Sequence, residues 1–410
     1  MRGAHQTVVM ITSSYPRFPG DAIATFMEPI AKGVAARGHD VHLVAPWHPA
    51  WRRATREEGV TFHLYRYAPA PALNVFGYAG ALRADVRLRG SAVAAAPLAF
   101  VAGRRCLRRV TREARAAIVH AHWVVPSGVM AASTRGRPLV VSLHGSDVFV
   151  AERHGAVGVA ARYAFKRAAW VTACSQDLRD RAVRLGADPN RMTVIPYGVD
   201  SERFRPDADA RRAVRARLGL GDGELVVLAY GRLVKKKGFE HLIDAAGMLT
   251  REHRSVRVVI AGEGDLASDL RDRARAAGVG DRVLFPGVVP QQEMSGWLAA
   301  ADIAVVPSVH DEAGNVDGLP NTVMEIMASG TPLVATDVGG IASVAADGET
   351  ARLVVERDPG ALAAAITGLL DRPDLRLAIG QRARALVSRE YGWSRVAAQF
   401  AAVYAQVTSA

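Results

Sequence analysis

The chain has 410 residues, 50% hydrophobic, 22% charged and 6% aromatic. That is a soluble globular profile with room for two domains, whose cores Ala, Val and Leu must largely fill. Lys plus Arg number 52 against 40 Asp plus Glu, a formal net charge of +12. That charge favours anionic partners (nucleic acid, an anionic membrane or a phosphorylated ligand), and solvated arginine-rich helix faces produce it equally. The two cysteines, Cys106 and Cys174, exclude a disulfide framework and fit no metal spacing. The apolar run at residues 8–11 is too short for a signal-peptide core, and residues 91–103, broken by Pro97, cannot span a bilayer. A reduced, cytoplasmic setting is expected.

In chain order, a short apolar strand is expected over residues 8–12, then a loop carrying Pro16, Pro19 and Gly20. A helix over 25–37 follows, with Phe26, Ile30 and Val34 on one face and Gly38 closing it. Further strands are expected over 41–45, 118–122, 139–143, 171–173 and 193–195. The second half repeats this grammar, with strands over 224–230, 256–261, 283–285, 303–307 and 333–336 and helices over 239–249, 266–277 and 322–329. Short apolar strands alternating with helices predict parallel sheets covered on both faces. The boundary between the two domains is expected within 196–206, and a helical tail after residue 371 carries Tyr391, Trp393 and Tyr404.

In open parallel sheets, ligands bind beyond the carboxyl ends of the strands, so the loops after strands should hold the chemistry. Five stand out. Gly231-Arg232-Leu233-Val234-Lys235-Lys236-Lys237-Gly238 offers a planar fork at Arg232 and a compact charge at Lys237, a pairing suited to a diphosphate; a solvated basic loop is the alternative. Asp317-Gly318-Leu319-Pro320-Asn321-Thr322 feeds a helix whose start, at Asn321 or Thr322, is an anion site. Glu325 lies one turn into that otherwise apolar helix, and a carboxylate there must be paired or bind a ligand. His144-Gly145-Ser146-Asp147 places an imidazole at a strand end, suited to proton traffic or a sugar hydroxyl; a structural His beside a capping pair is the alternative. The loop with Gly20 and the double glycine Gly339-Gly340 allow backbone to approach a ligand, though either alone reads as a turn. His120 and His122 alternate on a strand with no third metal ligand apparent, which favours a structural or cleft-lining role.

Together these loops, with Gly38-His39-Asp40-Val41, His120-Ala121-His122-Trp123, Ile195-Pro196-Tyr197-Gly198-Val199-Asp200, Ala301-Asp302-Ile303, and Glu325 through Pro332, resemble retaining glycosyltransferase family 4, the glycogen-synthase-like and mannosyltransferase-like group. The resemblance covers nearly the whole chain. It implies an α/β GT-B fold of two facing Rossmann-like domains with a ligand cleft between them. An acceptor-binding domain would occupy residues 1–200, a donor-binding domain 201–385, and a helix over 386–410 would cross back to the first. It further implies that Arg232 and Lys237 bind the donor diphosphate, Glu325 the ribose hydroxyls, and His144 the transferred sugar, with Gly20 near the diphosphate. Asp317 stands where the family usually has the first of two glutamates, a shorter carboxylate that could still accept bonds from sugar hydroxyls. Asp317, Leu319, Pro320, Asn321 and Thr322 would complete the donor site, and His122 and Asp147 would line the acceptor side. Ala342-Ser343 replaces the usual Pro-Glu after the double glycine.

The expected reaction is retaining transfer of a hexose-type sugar from a UDP- or GDP-sugar to a glycan, lipid-linked or small-molecule acceptor in cell-surface polysaccharide or glycoconjugate synthesis. His144, Arg232, Lys237, Asp317 and Glu325 form the catalytic set. Arg232, Lys237 and the helix start would stabilise the departing diphosphate, so neither a metal nor a cofactor beyond the nucleotide-sugar co-substrate is expected. From Leu82 to Arg115, nine arginines face Asp85 and Glu113 among apolar residues. Such a segment either docks peripherally on an anionic inner membrane face or covers the first sheet with its arginines in solvent. A sugar-nucleotide epimerase or phosphorylase on the same fold is the second enzyme reading. A basic nucleic-acid-binding protein is a distant third, as no helix-turn-helix, zinc or stacking-aromatic signature supports it.

Overall fold

The computed structural model describes residues 5–21, 23–70, 73–74, 82–83, 87–88, 90–221, 223–252, 255–312 and 314–409. The chain divides into two compact units: Met1–Tyr197 with Trp393–Ala410, and Gly198–Gly392. Each is built on a parallel sheet flanked by helices, the outcome demanded by strands that are apolar on both faces.

The first unit contains β1 (Thr7–Ile11), α1 (Met27–Ala36), β2 (Asp40–Pro46), β3 (Arg56–Glu57), β4 (Val60–Tyr65), β5 (Leu82–Arg83), β6 (Arg87–Leu88) and α2 (Gly90–Glu113). It continues through β7 (Ile118–His122), α3 (Val129–Ala132), β8 (Leu139–Leu143), α4 (Ser146–Arg153), α5 (Gly155–Arg167), β9 (Trp170–Ala173), α6 (Gln176–Arg184) and β10 (Met192–Val194). Eight strands pair in the order β10-β9-β8-β7-β1-β2-β4-β3. All neighbours are parallel except β3 and β4. No strand was expected between β2 and β7, yet β4 pairs with β2 from Val41 to Pro46. Its Thr61 and His63 interrupt the apolar run, because toward the sheet edge the strand is only half buried.

The second unit contains α7 (Ala208–Arg217), β11 (Leu225–Tyr230), α8 (Phe239–Glu252), β12 (Val256–Ala261), α9 (Ala267–Ala276), β13 (Val283–Gly287), α10 (Met294–Ala300) and β14 (Ile303–Val306). It is completed by α11 (Asn321–Ser329), β15 (Leu333–Thr336), β16 (Arg352–Val354), α12 (Pro359–Leu370) and α13 (Pro373–Glu390). Six parallel strands run β13-β12-β11-β14-β15-β16. Val227, Ile243, Val258, Ile303, Leu362 and Ile366 are among the fully buried side chains of its core. Asp302, just before β14, accepts from the Val226 amide at 2.8 Å and from Arg211 at 2.7 Å, tying α7 to the two central strands.

The last helix, α14 (Trp393–Ser409), belongs to the first unit. It buries Val396, Phe400, Val403 and Tyr404 in the same core as Ile30 and Val34 of α1. Gly33 lets the two helices approach, since a Cβ there would lie 2.9 Å from that of Ala397.

Loops at the carboxyl ends of the second sheet are packed backbone against backbone. Gly238 has φ +62°, and a Cβ on it would stand 2.0 Å from the Pro307 carbonyl oxygen. Gly278, which ends α9, has φ +70° with nothing within 4 Å. Gly278→Ala should therefore cost only the left-handed backbone term of roughly 1–2 kcal/mol. Gly238→Ala should lower stability by clearly more than that, as a displaced loop is added to the same term. Thermal melting of the two variants compares them directly, and equal losses would contradict the packing argument.

Candidate functional site

The donor-side residues expected from sequence lie in the second unit, at the ends of β11, β14 and β15. After β11 the chain makes a tight turn over Lys235–Lys237 that ends at Gly238 in the left-handed conformation. The three lysines differ sharply. Lys235 is exposed, whereas the side chains of Lys236 and Lys237 are 11% and 14% exposed. Both reach Asp317: Lys236 Nζ lies 2.9 Å from Oδ1 and Lys237 Nζ 2.6 Å from Oδ2. The run is therefore not a solvated basic loop at its C-terminal end. Burial alone would raise the Asp317 carboxyl. The two ammonium groups outweigh it and hold the group well below the usual carboxylate range. Arg232 is exposed on the same turn.

Asp317 is fixed from behind by the double-glycine loop after β15. Gly339 has φ +59°, and a Cβ there would stand 2.2 Å from the Asp317 carbonyl oxygen. Leu319 and Pro320 are buried, and Pro320 precedes α11 with φ −67°, so the helix opens at Asn321 and Thr322 as expected. No side chain caps its first turn, and the first turn of a helix is where an anion binds.

Glu325 is the second carboxylate, one turn into α11 and 9% exposed. Tyr230 donates its hydroxyl to Oε2 at 2.6 Å, and Gln291 donates its amide to Oε1 at 3.0 Å. Burial raises the Glu325 carboxyl above its ordinary value, opposed by those two bonds and by the charges of Arg203 and Lys237. Each carboxylate oxygen so placed keeps a lone pair able to accept from a ligand hydroxyl. Sequence reading did not single out Tyr230, Gln291 or Arg203, or separate Lys236 from its neighbours. Tyr230 had a signal, as the last residue of a buried strand directly before Gly231. Gln291 and Arg203 had none.

The acceptor-side candidates lie in the first unit. His122, on β7, is completely buried, and its Nδ1 shares a 3.0 Å hydrogen bond with Nε2 of His144. His144 Nδ1 shares a 2.8 Å bond with the Tyr197 hydroxyl. Both ring nitrogens of His144 are thus engaged within the unit, and its ring stacks on Phe26 at 4.6 Å between centroids. Neighbouring His120 bonds the Tyr404 hydroxyl and Ser142, each at 2.7 Å, joining α14 to the sheet. Asp147 accepts from the amides of Val124, Gly145 and His144 at 2.7, 3.0 and 3.3 Å. It pins the turn that presents His144, while burial pushes its carboxyl up to about 6.

Gly20 is exposed with φ +87° on the loop after β1. Two arginines hold that loop. Arg17 pairs with Asp21 at 2.6 Å, and buried Arg53 donates to the Pro16 carbonyl at 2.6 Å while pairing with Glu28 and Glu57 at 2.8 Å. Among the described residues no cluster of three or more His, Cys, Asp or Glu could hold a metal ion, and no helix is long and apolar enough to cross a membrane.

Burial lowers His120 and His144 well below the ordinary 6.5 and takes His122 down to about 3. The folded state therefore keeps these rings neutral when the unfolded chain would protonate them. Their contribution is complete above about pH 6.5 and is lost as pH falls below it. At about pH 5.5 the cost for His122 is roughly 1.4 kcal/mol. Melting curves at about pH 7.5 and 5.5 should show a loss on acidification that is smaller in His122→Asn. A loss of the same size in that variant would contradict the assignment.

Residues 23–203 match the family described as "Glycosyltransferase Family 4", and residues 210–386 match "Glycosyl transferases group 1". The chain is 40% identical over 234 residues to D-inositol 3-phosphate glycosyltransferase 2 of Catenulispora acidiphila, a match covering 55% of this chain and 53% of that protein's length. It is 29% identical over 408 residues to a GDP-mannose-dependent alpha-(1-6)-phosphatidylinositol monomannoside mannosyltransferase of Mycobacterium tuberculosis, covering 96% and 97%. The structure of Anabaena HepE in complex with UDP superposes with a TM-score of 0.77 at 19% identity, covering 97% of this chain and 98% of that one. With both halves of the chain matched in order and the GT-B architecture in place, the chain belongs to glycosyltransferase family 4.

Proposed function

We propose that the chain is a retaining glycosyltransferase that moves a hexose-type sugar from a UDP- or GDP-sugar to a glycan, lipid-linked or small-molecule acceptor, in cell-surface polysaccharide or glycoconjugate synthesis. The observation that carries this reading is the second unit's constellation. Lys237 pairs with Asp317, and Glu325 stands one turn into a helix whose start no side chain caps. A departing nucleoside diphosphate gains negative charge. Arg232, Lys237 and the start of α11 would stabilise it without a metal. Glu325 would accept from the ribose hydroxyls and Asp317 from a sugar hydroxyl. Loss of the diphosphate leaves an oxocarbenium-like centre. The leaving phosphate can take the acceptor's proton on the face it departs from, which gives retention. Relatives named for GDP-mannose and a structure named for UDP support both nucleotide classes.

Association with an anionic membrane through Leu82 to Arg115 also belongs to this reading; residues 84–86 and 89 of that segment lie outside the described residues. On α2, Leu98 and Val101 are exposed in line with exposed Arg105, Arg108 and Arg112. Helix α5 adds exposed Val159, Arg162, Tyr163 and Lys166. The two helices meet at the end of α3, where Arg104 donates to Ser133 at 2.8 Å and the Tyr163 hydroxyl donates to the Ala132 carbonyl at 3.1 Å. Apolar side chains beside a single-sign charge fit a lipid surface.

Thermal melting with UDP-, GDP-, ADP- and TDP-sugars, without metal, tests the donor site. A ligand at about 100 times its Kd stabilises the native state by roughly 2.7 kcal/mol. One nucleotide class should raise the melting temperature of the wild type and not of Glu325→Ala; no shift with any of them would refute the reading. For the surface, sedimentation with phosphatidylglycerol vesicles but not phosphatidylcholine vesicles is expected. Leu98→Asp and added salt should each weaken it.

A further inference from the structure

The Asp317 carboxylate has two lysine partners where one would neutralise it, and the two are differently supported. Lys236 is buried, and its carbonyl accepts from the Val309 amide at 2.9 Å, which ties it to the loop after β14. Gly238 fixes the same turn against Pro307. Lys237 runs along the other side of the loop. A Cβ on Gly231 would lie 3.5 Å from its Cε and 3.8 Å from its Nζ, so this lysine lies beside the turn that carries Arg232. Lys236 and Lys237 take opposite oxygens of Asp317, which is itself braced by Gly339.

If Lys237 were the sole partner, moving its ammonium onto a phosphate would strip a buried carboxylate of its counter-ion, a costly step. Resting on the donor-site reading above, we propose that Lys236 is a positioning residue that keeps Asp317 paired and oriented, so that Lys237 is released to the donor diphosphate. With Lys236 on one oxygen of Asp317, the carboxylate stays covered when Lys237 turns to the ligand. The paired Asp317 also stays in place to accept from the donor sugar. Lys236 acts through Asp317 and makes no contact with the phosphates.

The test is a double-mutant cycle read by calorimetric titration of UDP and of GDP into the whole chain, without metal. Lys236→Gln should weaken binding of the nucleoside diphosphate by at least about tenfold, because Asp317 then holds Lys237. Lys236→Arg should restore it to within about threefold of the wild type, since a cation again covers Oδ1. In an Asp317→Asn background Lys236→Gln should change affinity by less than about twofold, because the group it serves is already uncharged. Unchanged affinity in Lys236→Gln overturns the proposal. So does an equal loss in both backgrounds, which would make Lys236 a direct phosphate ligand. Failure of the wild type to bind either nucleotide overturns the donor-site reading itself and is distinct from both results. Melting temperatures without ligand separate a folding defect from a binding one.

Discussion

The loops leaving the carboxyl edge of the second sheet must share a space too small for side chains between them. Gly238 lies against the Pro307 carbonyl and Gly339 against that of Asp317, at distances where a Cβ would overlap an oxygen. That constraint fixes everything the site offers. The lysine turn after β11 is braced on the loop after β14, and Asp317 is braced on the loop after β15. The charged side chains therefore project from closely packed backbone, which is how preorganised electrostatics is built.

The two units solve the burial of polar groups in opposite ways. In the second, charge is kept and paired, with Asp317 between two ammonium groups, while Glu325 is held by neutral donors that leave lone pairs open. In the first, His120, His122 and His144 are kept neutral, joined to one another or to hydroxyls. A paired charge can be transferred to an arriving anion. Neutral imidazoles instead tie the interior of the unit together, and His120 fastens α14 to the sheet through Tyr404.

Much of this was legible in the sequence. Strands β8, β12 and β15 fall on the residues expected, because these buried parallel strands are mostly apolar and end at glycine or a polar turn. Helix α11 opens where Pro320 sets it. Strand β4, next to the sheet's edge, was not legible, because His63 and Thr61 break its pattern where burial is partial. Gln291 and Arg203 were equally silent. Gln291 bonds Glu325, and Arg203 bonds Gln291 and adds its charge, across distant parts of the chain, and no local spacing encodes that.

The sequence by itself determined that there would be two α/β domains, and that Lys237 would follow a buried strand while Asp317 and Glu325 would flank the start of a helix. These follow from short-range rules: hydrophobic period, turn residues and the position of a charge relative to a strand end. Only the tertiary structure decided which lysine of three is exposed and which two share a carboxylate. It also decided that His144 has both nitrogens engaged, and that Asp147 pins a turn. Those outcomes depend on which side chains are brought within about 3 Å of one another, the range over which hydrogen bonds form and charges pair most strongly.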